Sequence, residues 1–229
     1  FCTSKTFSEA HALQQQMGIS DPFIVENGSA LFFNKQQFTV KQSDWNEAGA
    51  FYVKIFGKPR SEIVPFLREL ERHLNTRLTG FSQMSLERIQ QYTGLKQHNV
   101  QLALQREFSE PFVSENGPLN LEQAQTFAGQ AGFRIVRGNR FYHLLGLCDK
   151  GTAVRYLIDF FAQRLKPAPT TIGLGDSPND REMLEAVNHR ICVRRPDGSY
   201  ALMVQGRNWY CTQATGPSGW AEAIFKLIH

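Results

Sequence analysis

Residues 173–180 read Gly-Leu-Gly-Asp-Ser-Pro-Asn-Asp, and this is the most informative stretch of the chain. A β-prone run leads into it, and the amphipathic run behind it predicts a helix. Asp176 and Asp180 therefore follow a strand, at the edge where open α/β sheets bind ligands. Carboxylates on such a turn suit Mg²⁺, which binds one or two of them together with waters and a substrate phosphate. Capping of the helix by Asp176 or Asn179 is the alternative.

Four segments resemble the motifs of one enzyme family and follow its order. Residues 173–180 closely resemble the fourth motif of the haloacid dehalogenase superfamily of phosphatases. Residues 2–6 are similar to the second motif, in which a Ser or Thr at a strand end holds phosphate. Residues 149–151 are similar to the third motif with its lysine, and residues 26–28 resemble a turn typical of the branch with a large α/β cap, type IIB.

Within that branch, four further segments resemble the mannosyl-3-phosphoglycerate phosphatases, namely residues 106–112, 138–143, 195–198 and 216–220. The resemblance runs essentially from end to end of the chain. It implies an Mg²⁺-dependent phosphoric monoester hydrolase that forms an aspartyl-phosphate and releases mannosylglycerate. The implied partner is a small phosphorylated glycosyl-glycerate. Alternatives are another sugar phosphate, such as glucosyl-3-phosphoglycerate or sucrose phosphate, and a non-catalytic ligand-binding homologue.

One feature of the family is missing from the sequence. The family's chemistry starts from an Asp-x-Asp motif on its first strand, and the 229 residues contain no Asp-x-Asp. The chain opens with Phe1 at what resembles the end of the second strand. We therefore expect the nucleophile segment to be absent from this chain and the chain by itself to be inactive; a natural pseudoenzyme is the alternative.

The resemblance implies roles for residues on three segments. Thr3 and Ser4 would form the phosphate cradle of a strand end and a helix N-terminus, unless they only cap the helix. Lys150 begins a helix, where the helix dipole disfavours a cation. We therefore expect its charge to bridge the nucleophile and the phosphate; an exposed residue near the helix end is the alternative. Asp149 is expected to be a helix cap.

The fourth motif supplies the residues expected at the metal. Asp176 is the predicted Mg²⁺ ligand. Asn179 is predicted beside the metal, and Asp180 is predicted to hold Lys150 or a metal-bound water. A direct metal bond from Asp180 is the alternative.

The predicted cap carries the candidates for substrate recognition. Arg106, Arg140 and His143 are candidates for the glycerate carboxylate and sugar hydroxyls, because arginine binds carboxylates with a bidentate fork. Arg140 and His143 lie three apart on one predicted strand and would face opposite sides. For each of the three, the alternative is a place on the cap surface or a salt bridge to Glu107 or Glu110. Lys5 and Asn27 are also predicted to bind substrate, and a solvated side chain is the alternative for Lys5. Residues 216–219 could present backbone N–H groups to an anion, or form a plain loop before a helix at Trp220.

The element pattern predicts a doubly wound, Rossmann-like parallel-sheet core interrupted by an α+β cap. The predicted limits are 1–55 for the first core segment, 56–144 for the cap and 145–229 for the second core segment. Apolar residues at helical spacing, among them Ile63, Phe66, Leu67 and Leu70, predict a helix from Ser61, and together with a hairpin around Gly138-Asn139 it defines the cap.

In the core, Thr6 and Glu9 have the form of a capping box at the start of a helix, and residues 23–25 predict a short buried strand of the parallel sheet. A helix over about 151–165 is predicted to carry an apolar stripe that includes Val154 and Leu165.

Composition excludes several other classes. With 41% hydrophobic and 20% charged residues the chain is an ordinary globular protein, and a net charge of +4 is weak evidence for nucleic acid. The four cysteines have no Cys-x-x-Cys spacing, which argues against zinc, and Cys192 is expected to be a small buried hydrophobe. Pro178 occupies the third glycine position of a dinucleotide-binding fingerprint. No signal peptide or membrane span is evident, so we expect a cytoplasmic protein without nucleic-acid or membrane partners.

Overall fold

The computed structural model describes residues 1–40, 44–138, 140–202 and 208–228. The chain folds into two compact units, residues 1–148 and residues 149–229, each described separately below. Asn139, half of the predicted hairpin linker, lies outside the described residues. None of the described helices is both long enough and apolar enough to cross a membrane.

The first unit begins with a helix and an antiparallel sheet. Helix α1 (Phe7–Met17) begins with the predicted capping box, since Thr6 and Glu9 bond each other's backbone N–H groups at 3.1 and 3.0 Å. The sheet has the order β1-β2-β4-β3, formed by β1 (Phe23–Val25), β2 (Ala30–Asn34), β3 (Asn46–Ala48) and β4 (Phe51–Ile55).

The prediction that β1 belongs to a parallel sheet is wrong for its pairing with β2. The two strands are antiparallel, because the short turn at residues 26–29 can join only antiparallel neighbours. On its other side Ile24 forms one parallel bridge with Cys2.

The rest of the first unit is an α+β block. Its antiparallel sheet has the order β5-β6-β8-β7, formed by β5 (Leu78–Gly80), β6 (Ser109–Ser114), β7 (Phe133–Arg137) and β8 (Tyr142–Gly146). Its helices are α2 (Arg60–Leu74), α3 (Leu86–Thr93), α4 (Gln97–Leu104) and α5 (Leu121–Gln130). The predicted apolar stripe of α2 is buried at Ile63, Phe66, Leu67 and Leu70, and it packs on Phe112 and Leu144 of the sheet.

The predicted hairpin is confirmed, but its connection is longer than expected. Strands β7 and β8 pair antiparallel from Phe133↔Gly146 to Arg137↔Tyr142. Four residues, 138–141, therefore join them instead of two, and Arg140 lies in this loop rather than on the strand.

The second unit is built from βα repeats around a parallel sheet of order β11-β10-β9. The strands are β9 (Ile172–Gly175), β10 (His189–Arg194) and β11 (Trp209–Thr215), and the helices are α6 (Lys150–Ala162), α7 (Arg181–Glu185) and α8 (Gly216–Ile228). The strand β11 was not predicted. The predicted stripe of α6 is only partly correct, because Val154 is buried whereas Leu165 lies beyond the helix end and is 48% exposed.

Residues 216–219 are not the loop that the sequence suggested. They form the first turn of α8, which begins four residues before Trp220. A Cβ on Gly219 would lie 2.5 Å from the carbonyl oxygen of Ala214, so the glycine lets this turn pack directly against the end of β11.

The four cysteines are all free thiols, and Cys192 is fully buried as predicted. Burial raises the pKa of the Cys192 thiol, which favours its neutral form. It behaves as an apolar core residue of β10.

Candidate functional site

The turn after β9 is organised by the carboxylate of Asp180. Its Oδ2 accepts hydrogen bonds from the backbone N–H groups of Asp176 and Ser177, at 3.2 and 3.1 Å. Gly175 is required behind it, because a Cβ there would lie 2.5 Å from the Cβ of Asp180. The motif therefore folds into a compact turn that fixes the direction of Asp180.

The other oxygen of Asp180 holds Lys150. The Lys150 Nζ lies 2.5 Å from Asp180 Oδ1, and the two side chains are only 6% and 9% exposed. This pair matches the predicted contact between the third and fourth motifs, and it contradicts the alternative that Lys150 is an exposed residue at the helix end. The catalytic role assigned to both residues stays a prediction.

Two backbone features bring Lys150 to this place. Asp149 caps α6 by accepting a hydrogen bond from Thr152 N–H at 2.7 Å, as predicted. A Cβ on Gly151 would lie 2.3 Å from the carbonyl oxygen of Glu182, so the glycine allows the start of α6 to touch the backbone of α7. The close contact of α6 with α7 places the Lys150 side chain within hydrogen-bond distance of Asp180.

Asp176 is exposed and presents its carboxylate to solvent. Its backbone N–H is bound by Asp180, and its carbonyl oxygen accepts a hydrogen bond from Arg195 Nε at 2.9 Å. Within the described ranges the carboxylate itself forms no hydrogen bond or ion pair, so it does not cap α7. Asn179 lies half-buried in the same turn, and its place beside a metal stays a prediction.

A carboxylate that faces water from a backbone held at both its N–H and its carbonyl oxygen fits the needs of Mg²⁺, which completes its shell with waters and substrate oxygens. The part of the chain that the structure describes contains no group of three or more His, Cys, Asp or Glu residues able to hold a metal. Asp176 thus fits as one contributor to a metal site but not as a complete site.

In the first unit, residues 3–5 run beside the end of β1. Thr3 N–H donates to the carbonyl oxygen of Ile24, and the N–H groups of Asn27 and Glu26 donate to the carbonyl oxygens of Thr3 and Lys5, at 2.9–3.0 Å. Because Thr6 caps α1, the alternative that Thr3 or Ser4 caps the helix is wrong. Their place between a strand end and a helix N-terminus is as predicted.

The remaining groups of this segment are only partly engaged. The Thr3 hydroxyl accepts a hydrogen bond from Lys5 N–H at 3.2 Å. The Lys5 side chain is 42% exposed and lies 3.4 Å from Glu9. Asn27 is buried and has a left-handed backbone with φ 61°. The substrate roles of Lys5 and Asn27 stay predictions.

Arg106 reaches the same segment from the loop before β6. Its Nη1 donates to the carbonyl oxygen of Ser4 at 3.1 Å and to Ser109 Oγ at 3.0 Å, and the side chain is 6% exposed. The expected alternative partners are wrong, since the nearest carboxylate is Glu26 at 3.8 Å, whereas Glu110 pairs with Arg60.

Sequence reasoning missed the role of Glu26. This side chain is 1% exposed, and it accepts hydrogen bonds from the N–H groups of Glu107 and Phe108 and from Ser109 Oγ. Its position before Asn-Gly was the available signal, but only the fold shows which segment the carboxylate binds. Although Glu107 is exposed as a residue, partial desolvation of its carboxyl and the charge of Glu26 raise its pKa.

Arg140 and His143 occupy different surroundings from Arg106. Arg140 is exposed and donates to the carbonyl oxygens of Tyr92 and Thr93 at the end of α3. His143 is buried on β8, and its Nε2 would lie 3.2 Å from a Cβ on Gly138. The hairpin thus holds both residues, and the idea that they share a regular strand is wrong because Arg140 precedes it.

Comparison with known proteins supplies the family. No family model matches the chain. It is 34% identical over 228 residues to the glucosyl-3-phosphoglycerate/mannosyl-3-phosphoglycerate phosphatase of Methanococcoides burtonii, covering 100% of this chain and 84% of the relative.

Two solved structures show the fold. The sucrose-phosphatase from Synechocystis, in complex with sucrose and phosphate, matches with a TM-score of 0.60 at 17% identity, over 98% of this chain and 82% of that one. A sugar phosphatase of haloacid dehalogenase subclass IIB matches with a TM-score of 0.53 at 12% identity, over 96% and 75%. The predicted fold class, a Rossmann-like core with a cap, is confirmed.

Proposed function

This chain belongs to the haloacid dehalogenase-like phosphatases, in the family of glucosyl-3-phosphoglycerate/mannosyl-3-phosphoglycerate phosphatases, and we propose that, when joined to an Asp-x-Asp strand, it hydrolyses mannosyl-3-phosphoglycerate to mannosylglycerate and phosphate. It is a phosphoric monoester hydrolase of sugar phosphates. The buried Lys150–Asp180 pair beside the solvent-facing Asp176 is the observation that best supports the proposal. Glucosyl-3-phosphoglycerate is the second candidate, because the relative's name includes it. We place the enzyme in mannosylglycerate biosynthesis in the cytoplasm.

The residues of the second unit support phosphoryl chemistry. Lys150 would act as a point charge on phosphoryl oxygens, and such preorganised charges stabilise the transferring group. Asp180 holds the Lys150 side chain in one direction, because it binds Nζ with one oxygen and the backbone of the turn with the other. We assign Asp180 this positioning role rather than a direct metal bond.

Asp176 would hold Mg²⁺, with Asn179 next to it. When bound, Mg²⁺ supplies Lewis-acid stabilisation of phosphoryl charge and a template for substrate binding. In the first unit, the hydroxyl groups of Thr3 and Ser4 and the Ser4 N–H would bind phosphate, whereas the Thr3 N–H is bonded to the carbonyl oxygen of Ile24.

Arg106 is the proposed receptor for the glycerate carboxylate. Its Nε is buried and has no hydrogen-bond partner among the described residues, so one edge of its fork still lacks an acceptor. A buried donor without an acceptor is costly, and a carboxylate would satisfy it. Arg106 also donates to the backbone of Ser4. In the glycerate, only one carbon atom separates the carboxylate carbon from the carbon that carries the phosphate.

The test measures phosphate release by an enzyme that carries an Asp-x-Asp strand ahead of Phe1, called the extended enzyme below. We expect turnover of mannosyl-3-phosphoglycerate to exceed that of sucrose phosphate and to require Mg²⁺, and the 229-residue chain alone to be inactive. Asp176→Asn should weaken Mg²⁺ binding and turnover together, whereas Lys150→Ala should lower turnover and leave Mg²⁺ binding intact. Equal turnover of the mannosyl, glucosyl and sucrose esters would refute the proposed substrate, and unchanged Mg²⁺ affinity in Asp176→Asn would refute the metal ligand.

A further inference from the structure

We propose that Glu26 is the positioning residue that directs the Arg106 guanidinium towards the substrate carboxylate. The inference rests on the function proposed above and adds a specificity element to it. Glu26 itself would touch no substrate atom.

The carboxylate of Glu26 fixes the whole segment that carries Arg106. Its Oε1 accepts from Glu107 N–H at 2.9 Å, and its Oε2 accepts from Phe108 N–H at 3.2 Å and from Ser109 Oγ at 2.6 Å. Three consecutive residues after Arg106 are thus held by one side chain. Each oxygen of a carboxylate can accept two hydrogen bonds, so this one side chain can serve all three donors.

The Ser109 hydroxyl connects Glu26 to the Arg106 side chain. It donates to Glu26 Oε2 and accepts from Arg106 Nη1 at 3.0 Å, so the three side chains form one chain of hydrogen bonds. Nη1 is further fixed by the carbonyl oxygen of Ser4. With Nη1 engaged in this way, the Nε edge is left for a ligand.

Glu26 also supplies the charge that balances a buried cation. Its Oε2 lies 3.8 Å from Arg106 Nη1, and the two side chains are 1% and 6% exposed, so water screens the pair weakly. The backbone of Glu26 donates to the Lys5 carbonyl oxygen and has φ 46°, a left-handed conformation that is uncommon for glutamate. The chain thus accepts strain at the residue that joins residues 3–5 to Arg106.

A second buried pair in the same unit provides the matched control. Glu110 is fully buried, pairs with Arg60 at 2.7 Å and accepts from Ser82 N–H at 2.6 Å. It resembles Glu26 in burial and bonding but does not contact Arg106 in any described interaction. Glu110→Gln should therefore match Glu26→Gln in its effect on stability and differ in its effect on recognition.

The experiment measures the affinity of the extended enzyme for 3-phosphoglycerate and for glycerol 3-phosphate by calorimetry. These probes share the phosphate, and only the first has a carboxylate. The loss of one charged hydrogen bond weakens binding affinity roughly 10- to 150-fold, so Arg106→Ala should reduce the preference for 3-phosphoglycerate over glycerol 3-phosphate by that factor. Glu26→Gln should reduce the same preference on the order of 10-fold, and the double variant should lose no more than Arg106→Ala alone.

The outcomes separate the two proposals. If the unaltered enzyme shows no preference between the probes, carboxylate recognition itself is wrong and the proposed function fails with it. If the preference exists and depends on Arg106 but Glu26→Gln keeps it, or if Glu110→Gln lowers it equally, Glu26 is not the positioning residue. Should Glu26→Gln fail to fold, Ser109→Ala breaks the same chain and is expected to lower the preference roughly 2- to 10-fold; an unchanged preference there overturns the inference.

Discussion

Asp180→Asn should destabilise the second unit strongly, because it leaves a buried lysine without its anionic partner. Lys150 is 6% exposed, and within the described ranges Asp180 is the acceptor of its hydrogen bond. An asparagine cannot replace the carboxylate, since its amide would direct N–H₂ either at the Lys150 ammonium or at the backbone N–H groups of the turn. Breaking a buried pair by removing one partner costs about 3–5 kcal/mol. This loss is a large part of the roughly 5–15 kcal/mol that stabilises a typical domain.

The reverse change gives a weaker effect and serves as the comparison. In Lys150→Met the carboxylate of Asp180 still accepts from two backbone N–H groups, so we expect a loss of about 1–3 kcal/mol. The double variant removes the unpaired ammonium and should be more stable than Asp180→Asn alone. Lys150→Met is expected to be the milder change because Asp180 keeps its two backbone hydrogen bonds, whereas Lys150 has no other described acceptor in Asp180→Asn.

The assay is urea unfolding followed by tryptophan fluorescence. Trp209 and Trp220 lie in the second unit and Trp45 in the first, so a Trp45→Phe background makes the signal report the second unit alone. A loss below about 1 kcal/mol in Asp180→Asn, or a larger loss in Lys150→Met, would refute the reasoning. A double variant as unstable as Asp180→Asn would refute it too.

Two further predictions concern packing and pH. Gly175→Ala should cost about 1–3 kcal/mol in urea unfolding, since its Cβ meets Asp180, whereas Gly129→Ala, with open space around it, should be neutral or stabilising; equal effects would contradict the packing argument. Desolvation and the charge of Glu26 raise the folded-state pKa of Glu107, so the wild type should lose stability as pH rises through that raised value. Glu107→Gln should therefore be more stable than the wild type at about pH 7 but not at about pH 4, and a difference in unfolding free energy that is the same at both pH values would refute this.

Much of the local structure could be predicted because it depends on neighbouring residues. The capping box at Thr6 and Glu9, the apolar stripe of α2 and the Asp149 cap are patterns of adjacent backbone and side-chain groups, and the structure confirms them. The strand β11 was missed because a parallel strand gains its stability from a partner distant in the chain. The start of α8 was then placed too late, since this helix begins directly where β11 ends.

The sequence by itself determined the family, the fold class and the order of the motifs, since Gly-Asp-Ser-Pro-Asn-Asp and the residues around Lys150 are local and specific patterns. Only the tertiary structure decided which side chains meet. Lys150 and Asp180 are 30 residues apart, and Arg106 lies 102 residues from Ser4 and 80 from Glu26. Such contacts are set by how helices and strands pack, with glycines such as Gly151 and Gly175 permitting the close approach. A buried carboxylate such as Glu26 acquires its role only when the fold removes water and supplies its donors.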